Sequence, residues 1–277
     1  MIAPPDLPPA LRDGTPVSFL VDFDGTIAST DVSEMLLIRH ATDARWRMYD
    51  ALYDEGQAGS RDLLEWDLTV LPRDPAGLIA TAETQPWDPG FPGFVAAARR
   101  HGALVEVVSD GLGFYVAPAL ERMGLGDLPV ATSVLDLGAE PRRITFPYGH
   151  PRCLVCGTCK RERVRLHQAS GRVVVFVGDG TSDRYGAGYA DLVFAKERLA
   201  AVCDAEGWPY RPWSGFAEIE GWVEVAFARG ELPRRAGDVS AWRARQGIDR
   251  RPFICGPELW GEGRHNPPAP ARPAAPA

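Results

Sequence analysis

No stretch of this sequence is apolar for long enough to span a bilayer, so a transmembrane helix is not expected. The first residues, Met1-Ile-Ala-Pro-Pro-Asp-Leu-Pro-Pro9, lack the basic and apolar regions of a signal peptide. The default expectation is therefore a cytoplasmic protein with no membrane partner. Positive charge is in short supply too. A formal net charge of −7 argues against a protein that coats nucleic acid, because phosphate neutralisation needs surplus Lys and Arg. It leaves room for a small anionic substrate, since a metal and a few local cations reverse the sign inside a cleft. There are five cysteines in 277 residues, three of them in one short segment, which is unlike an extracellular disulfide framework.

What is present is a set of apolar runs that end alike. Val17 to Val21 suits a buried strand, and it runs directly into Asp22-Phe-Asp-Gly-Thr26. Residues two apart on an extended chain face the same side, so Asp22 and Asp24 look into one space. Leu104 to Val108 ends in Ser109-Asp-Gly111, and Arg172 to Val177 ends in Gly178-Asp-Gly-Thr-Ser-Asp183. Near-continuous apolar runs fit strands buried on both faces of a parallel sheet. Asp-Gly after such a run is often only a turn, but three ends rich in acid, hydroxyl and glycine predict one shared edge. In an open α/β sheet that carboxyl edge is where ligands bind.

Gathering Asp22, Asp24, Asp179 and Asp183 in one place is unfavourable without compensation. Two like charges about 4 Å apart repel by roughly 4 kcal/mol at an effective dielectric of 20. Protonation or a cation must relieve this. Oxygen ligands with no nearby histidine favour Mg²⁺, which keeps positions free for phosphate oxygens.

Taken in order, Asp22-Phe-Asp-Gly-Thr26, Ser109-Asp-Gly111, Lys160 and Gly178-Asp-Gly-Thr-Ser-Asp183 resemble the four motifs of the haloacid dehalogenase superfamily. The likeness covers about Val17 to Phe194. The long helical interval between the first two motifs resembles the cap of the phosphoserine-phosphatase-like branch. The cysteine-rich segment that leads into the motif lysine is similar to that of methionine-salvage enolphosphatases and of phosphoethanolamine/phosphocholine phosphatases. The resemblance implies an Mg²⁺-dependent phosphomonoester hydrolase that acts on a small phosphorylated metabolite through an aspartyl-phosphate. It implies Asp22 as nucleophile and Asp24 as acid and base. Ser109, Gly111 and Lys160 would hold the phosphoryl group, and Asp22, Asp24, Asp179 and Asp183 would form the Mg²⁺ site. A phosphotransferase or mutase of the same fold, and a non-catalytic module with a cysteine-rich metal or redox site, are the competing readings.

His150, Cys153, Cys156 and Cys159 recur at three-residue spacing, a zinc-ligand pattern, although all four lie in one short loop. Among cap residues, Asp31 and Glu34 are candidates to meet a substrate amine, and Arg45 and Arg61, with Arg39 and Arg47, a carboxylate. A charge on a helix more often faces solvent, and Lys160, beside Arg161 and Arg163, has the same ordinary reading. The expected architecture is α/β, a Rossmann-like parallel-sheet core with a small helical cap inserted after the first strand. Its expected parts are a proline-rich lead-in over 1–15, a core over 16–29 and 86–232, a cap over 30–85, and a C-terminal extension over 233–277 with a disordered last part.

Overall fold

The computed structural model describes residues 16–55, 57–139, 141–150, 153, 155–234, 238, 239, 241 and 242. The expected lead-in over 1–15 and the end of the extension lie outside them. Five strands run parallel through the centre of the sheet. They are β1 (Val17–Val21), β2 (Leu104–Leu112), β3 (Val130–Asp136), β5 (Val173–Gly178) and β6 (Leu192–Ala195). β4 (Arg143–Thr145) pairs antiparallel with β3 at one edge, and the two-residue β7 (Arg211–Pro212) adds parallel to β6 at the other. The order is β4-β3-β2-β1-β5-β6-β7. The chain leaves β1 towards β2 on one side and reaches β5 on the other, so β1 is the switch point of the sheet.

Every residue of β1 and of β5 is buried, as expected of strands covered on both faces. Alternation sorts their side chains. Val17, Phe19, Val21 and Phe23 join a core with α5 (Phe91–Arg100), α6 (Gly113–Arg122) and α10 (Phe216–Ala228). Leu20, Val174 and Phe176 face the opposite way, towards α7 (Lys160–Ala169), α8 (Arg184–Ala187) and α9 (Glu197–Glu206). Leu232, Val239 and Trp242 extend the first core beyond α10, and Trp242 is 1% exposed.

Between β1 and α5 the described residues make four helices and no strand: α1 (Val32–His40), α2 (Trp46–Asp54), α3 (Ser60–Val70) and α4 (Pro75–Glu83). The Asp31 carboxylate caps α1 by accepting from the Glu34 amide, and Asp74 caps α4, with Pro75 in its first turn, a favoured arrangement. Leu37, Trp46, Tyr49, Ala58, Trp66 and Val70 form a small core belonging to this insertion. Among the described residues no helix is long and apolar enough to cross a membrane.

The second acidic motif lies within β2, at the end of the strand-like run read from Leu104 to Gly111, and the β2–β3 register shifts between Val108 and Leu112. Ser109, Asp110 and Gly111 occupy this irregular stretch, whose carbonyls are met by side chains of β3. Thr132 Oγ1 donates to the Gly111 carbonyl at 2.6 Å and Ser133 Oγ to that of Asp110 at 3.3 Å. A bulge re-aims side chains without ending the strand.

Candidate active site

A cleft of about 590 Å³ opens over the carboxyl ends of β1, β2 and β5 and beneath the four-helix insertion. Asp22, Asp24, Ser109, Asp110, Gly111 and Asp179 are among the residues that line it. The three acidic strand ends predicted from sequence therefore meet at one place.

Lys160 binds the floor together. Its ammonium donates to Asp22 Oδ1 at 2.7 Å, Asp183 Oδ1 at 2.6 Å and Ser182 Oγ at 3.2 Å. Far from being a solvated surface charge, Lys160 is 1% exposed. Burial alone would lower its pKa, but the carboxylates of Asp183 and Asp22 outweigh that and hold it well above the usual lysine value. Asp183 is saturated, because its second oxygen accepts from the amides of Asp179 and Gly180 at 3.0 and 2.9 Å. It orients its neighbours from a fully buried position. Asp179 Oδ1 accepts from Thr26 Oγ1. Gly25, at φ +73°, allows this close approach, since a Cβ there would fall 2.2 Å from Asp179 Oδ2.

Asp22, Asp179 and Asp183 present oxygens within 4.8 Å of one another. The crowding is visible in their acidity. Burial, then the Asp183 carboxylate, hold Asp22 well above the usual carboxylate range, against the pull of Lys160. Burial and Asp183 likewise push Asp179 up to about 7. One ammonium for three carboxylates leaves a negative surplus, and among the described residues hydrogen bonds engage Oδ1 of Asp22 and Oδ1 of Asp179. A hard divalent cation such as Mg²⁺ fits that donor set.

Asp24 sits in a different environment. Its Oδ1 accepts from the Val32 amide at 2.9 Å and its Oδ2 from the Tyr115 hydroxyl at 3.0 Å, while Ser33 Oγ lies 2.9 Å from the same hydroxyl. Burial, then Asp31, push its carboxyl up to about 8 despite these donors. Tyr115 is a site residue that sequence reasoning missed. Its position just after the second motif was the available signal, but an aromatic in a crossover helix reads as core. Ser109 is fully buried and accepts from the Gly111 amide at 2.9 Å. A side chain at Gly111 would collide with Tyr115, Asp24 and Ser109.

The remaining sequence candidates divide clearly. Asp31 and Glu34 line the cleft. Arg45 does not, for it pairs with Asp43 at 2.8 Å on an exposed surface. Arg61 is also spent elsewhere, donating to the Cys156 carbonyl at 2.7 Å and to that of His150 at 3.5 Å. Beside it, Ser60 Oγ donates to Asp110 Oδ2 at 2.7 Å and accepts from the Gly157 amide at 3.1 Å, and the Thr158 amide donates to Asp110 Oδ1 at 2.6 Å. The start of α3 is thus fastened to the cysteine loop. The zinc expectation finds no support, and Cys153, Cys156 and Cys159 form no disulfide either. Among the described residues the only potential metal group is the aspartate trio, and His150 and these cysteines form none. The loop is held by its backbone.

Comparison with known proteins agrees with this geometry. The sequence is 29% identical over 203 residues to a 2-hydroxy-3-keto-5-methylthiopentenyl-1-phosphate phosphatase of Microcystis aeruginosa, covering 72% of this chain and 93% of that one. It is 27% identical over 209 residues to the protein of the same name from an Exiguobacterium species, covering 74% and 96%. Among solved structures, a phosphoserine phosphatase captured as a phospho-aspartyl intermediate analogue superimposes with a TM-score of 0.59 at 17% identity, over 75% of this chain and 99% of that one. The profile of the haloacid dehalogenase-like hydrolases matches residues 19–187. That span is more than half of the chain and includes Asp22, Asp24, Lys160, Asp179 and Asp183, and the protein belongs to the haloacid dehalogenase-like hydrolase family.

Proposed function

We propose that this protein is an Mg²⁺-dependent phosphomonoester phosphatase that acts on a small phosphorylated metabolite through an aspartyl-phosphate on Asp22. The observation that carries the reading is the contact of Lys160 with Asp22 at 2.7 Å, at the base of a cleft that Asp24 also lines. A buried cation beside a carboxylate nucleophile neutralises an incoming phosphoryl group and orients the attacking oxygen. The relatives' names support a small phosphorylated substrate.

In this mechanism Asp22 attacks phosphorus and the ester P–O bond breaks. Asp24, held near pKa 8, is protonated at neutral pH and gives its proton to the departing alkoxide. The resulting carboxylate then takes a proton from water, whose oxygen attacks phosphorus and releases phosphate and Asp22. The Tyr115 and Val32 donors fix Asp24 in place and stabilise its charged form between the two halves. Ser109 Oγ and the Gly111 amide, now bonded to each other, turn to the phosphoryl oxygens together with Lys160. Asp22 and Asp179 would hold Mg²⁺, with the Asp24 carbonyl, while Asp183 orients Lys160 and the 179–180 backbone. The bound ion would supply charge neutralisation for the phosphoryl oxygens. The decisive test is turnover of p-nitrophenyl phosphate with and without Mg²⁺, with acid-quench mass spectrometry to detect a phosphorylated Asp22. An Asp22→Asn protein that turns over as fast as the wild type would end this reading.

A further inference from the structure

The two carboxyl oxygens of Asp24 are served by different kinds of donor. At Oδ1 the partner is the Val32 amide at 2.9 Å, and a peptide N–H only donates. At Oδ2 the partner is the Tyr115 hydroxyl at 3.0 Å, which has Ser33 Oγ 2.9 Å away. Hydroxyls both donate and accept, and in the Ser33–Tyr115 contact either oxygen can be the donor. The tyrosine is held firmly. It is buried, and its ring packs against those of Phe23 and Phe114, with centroids 6.0 and 5.3 Å away. Gly111 leaves space for the contact, since a Cβ there would overlap both the Tyr115 hydroxyl and Asp24 Oδ2. Ser33 belongs to the insertion, in the first turn of α1, and lines the cleft.

From this we infer that Ser33 is a positioning residue for proton transfer: acting through Tyr115, it lets one chain of hydroxyls hold Asp24 in the same place with and without its proton. While Asp24 is ionised, Tyr115 donates to Oδ2 and accepts from Ser33. When Oδ2 carries the proton, that O–H donates to Tyr115, whose own hydrogen turns to Ser33 Oγ. Both hydroxyls keep their hydrogens, and only the direction of the chain reverses. The proton that goes to the departing alkoxide is the one on Asp24, and its replacement comes from the attacking water. The relay therefore supplies none and consumes none. Without Ser33 the reversed arrangement leaves the buried Tyr115 hydrogen short of an acceptor, which is costly, and the chain serves the ionised form alone. The inference rests on the phosphatase reading for the task of Asp24, whereas the contacts that form the chain do not.

The experiment has two arms. The first compares kcat/KM, which covers the steps up to departure of the alcohol, for p-nitrophenyl phosphate and phenyl phosphate. Phenolate is the more basic leaving group and needs the donated proton more, so a misplaced acid penalises phenyl phosphate more heavily. In Ser33→Ala the preference for the nitrophenyl ester should grow by about 3- to 10-fold, the worth of one hydrogen bond. Tyr115→Phe should enlarge it at least as much, and adding Ser33→Ala to Tyr115→Phe should change it no further. Ser33→Thr, which keeps the hydroxyl, should retain the wild-type ratio. The second arm needs no turnover. Urea midpoints should show that Ser33→Ala shifts stability less in a Tyr115→Phe or an Asp24→Ala background than in the wild type. If the wild type hydrolyses neither ester while these shifts are non-additive, the phosphatase reading fails and the chain stands as the hold on Asp24. If it hydrolyses both, and Ser33→Ala lowers the two equally or not at all, the relay is overturned and the phosphatase stands. Additive midpoint shifts would also overturn it, by making Ser33 no more than a pin between α1 and α6.

Discussion

Helix α7 carries two buried charged clusters that differ in balance. At its first residue, Lys160 meets Asp22 and Asp183 at 2.7 and 2.6 Å, with Asp179 beside them. One turn on, Arg163 reaches Glu106 Oε1 at 2.6 Å. A further turn on, His167 Nε2 lies 2.6 Å from Glu106 Oε2 and its Nδ1 lies 2.8 Å from Ser18 Oγ. The lower cluster sets a guanidinium and an imidazole against its single carboxylate and is closed off, with Glu106 at 1% and His167 at 0% exposure. The upper has three carboxylates for one ammonium and opens onto the cleft. A balanced cluster fixes helix to sheet. An unbalanced one holds a surplus of negative charge that a bound cation would relieve.

Substitutions test this contrast. The largest effect is expected at Asp22→Asn, which should lower kcat by at least about 10³-fold while the folded fraction, read by circular dichroism, holds. Glu106→Ala should do the reverse. Leaving Arg163 and His167 buried without their acceptor costs about 3–5 kcal/mol of stability, measured by urea unfolding, with kcat per folded molecule preserved. A loss of activity beyond the loss of folded protein would break the division between the clusters.

Mg²⁺ gives a third, smaller effect. At about 100 times its dissociation constant it should stabilise the native state by about 2.7 kcal/mol, seen as a rise in Tm that chelation removes and Asp179→Asn largely abolishes. The smallest effect concerns pH. With a native pKa of about 8 against 3.8 in the unfolded chain, the folded state binds the extra proton between those values. Asp67 therefore lowers stability as pH rises from about 4 to about 8. Asp67→Asn should be stabilising by about 1–3 kcal/mol at pH 8, and by less at pH 5, in paired thermal melts.

The strands and the acidic floor were legible because both are written locally. An apolar run followed by Asp-x-Asp-Gly or Gly-Asp-Gly reports a buried strand and its exit in consecutive residues. The register shift inside β2 was not legible, because it depends on where Thr132 and Ser133 of β3 sit opposite Gly111 and Asp110. Lys160 was visible only by its order among the motifs. On a helix this polar, no apolar stripe announces that Lys160, Arg163, Val164 and His167 form the buried face. Arg61 misled for a related reason: its partners are main-chain carbonyls, which no side-chain pattern reveals.

The fastening of Ser60 and Arg61 to the backbone between His150 and Gly157 has a consequence for anyone rebuilding this enzyme. The tethered loop runs without interruption into Lys160, so the helices above and the ammonium below are two ends of one lever. Grafting a foreign lid onto this scaffold would require exchanging residues 148–159 with it. A chimera cut only at the two ends of the insertion, near residues 30 and 85, should bind phosphate loosely, its lysine set adrift by a seam far along the chain.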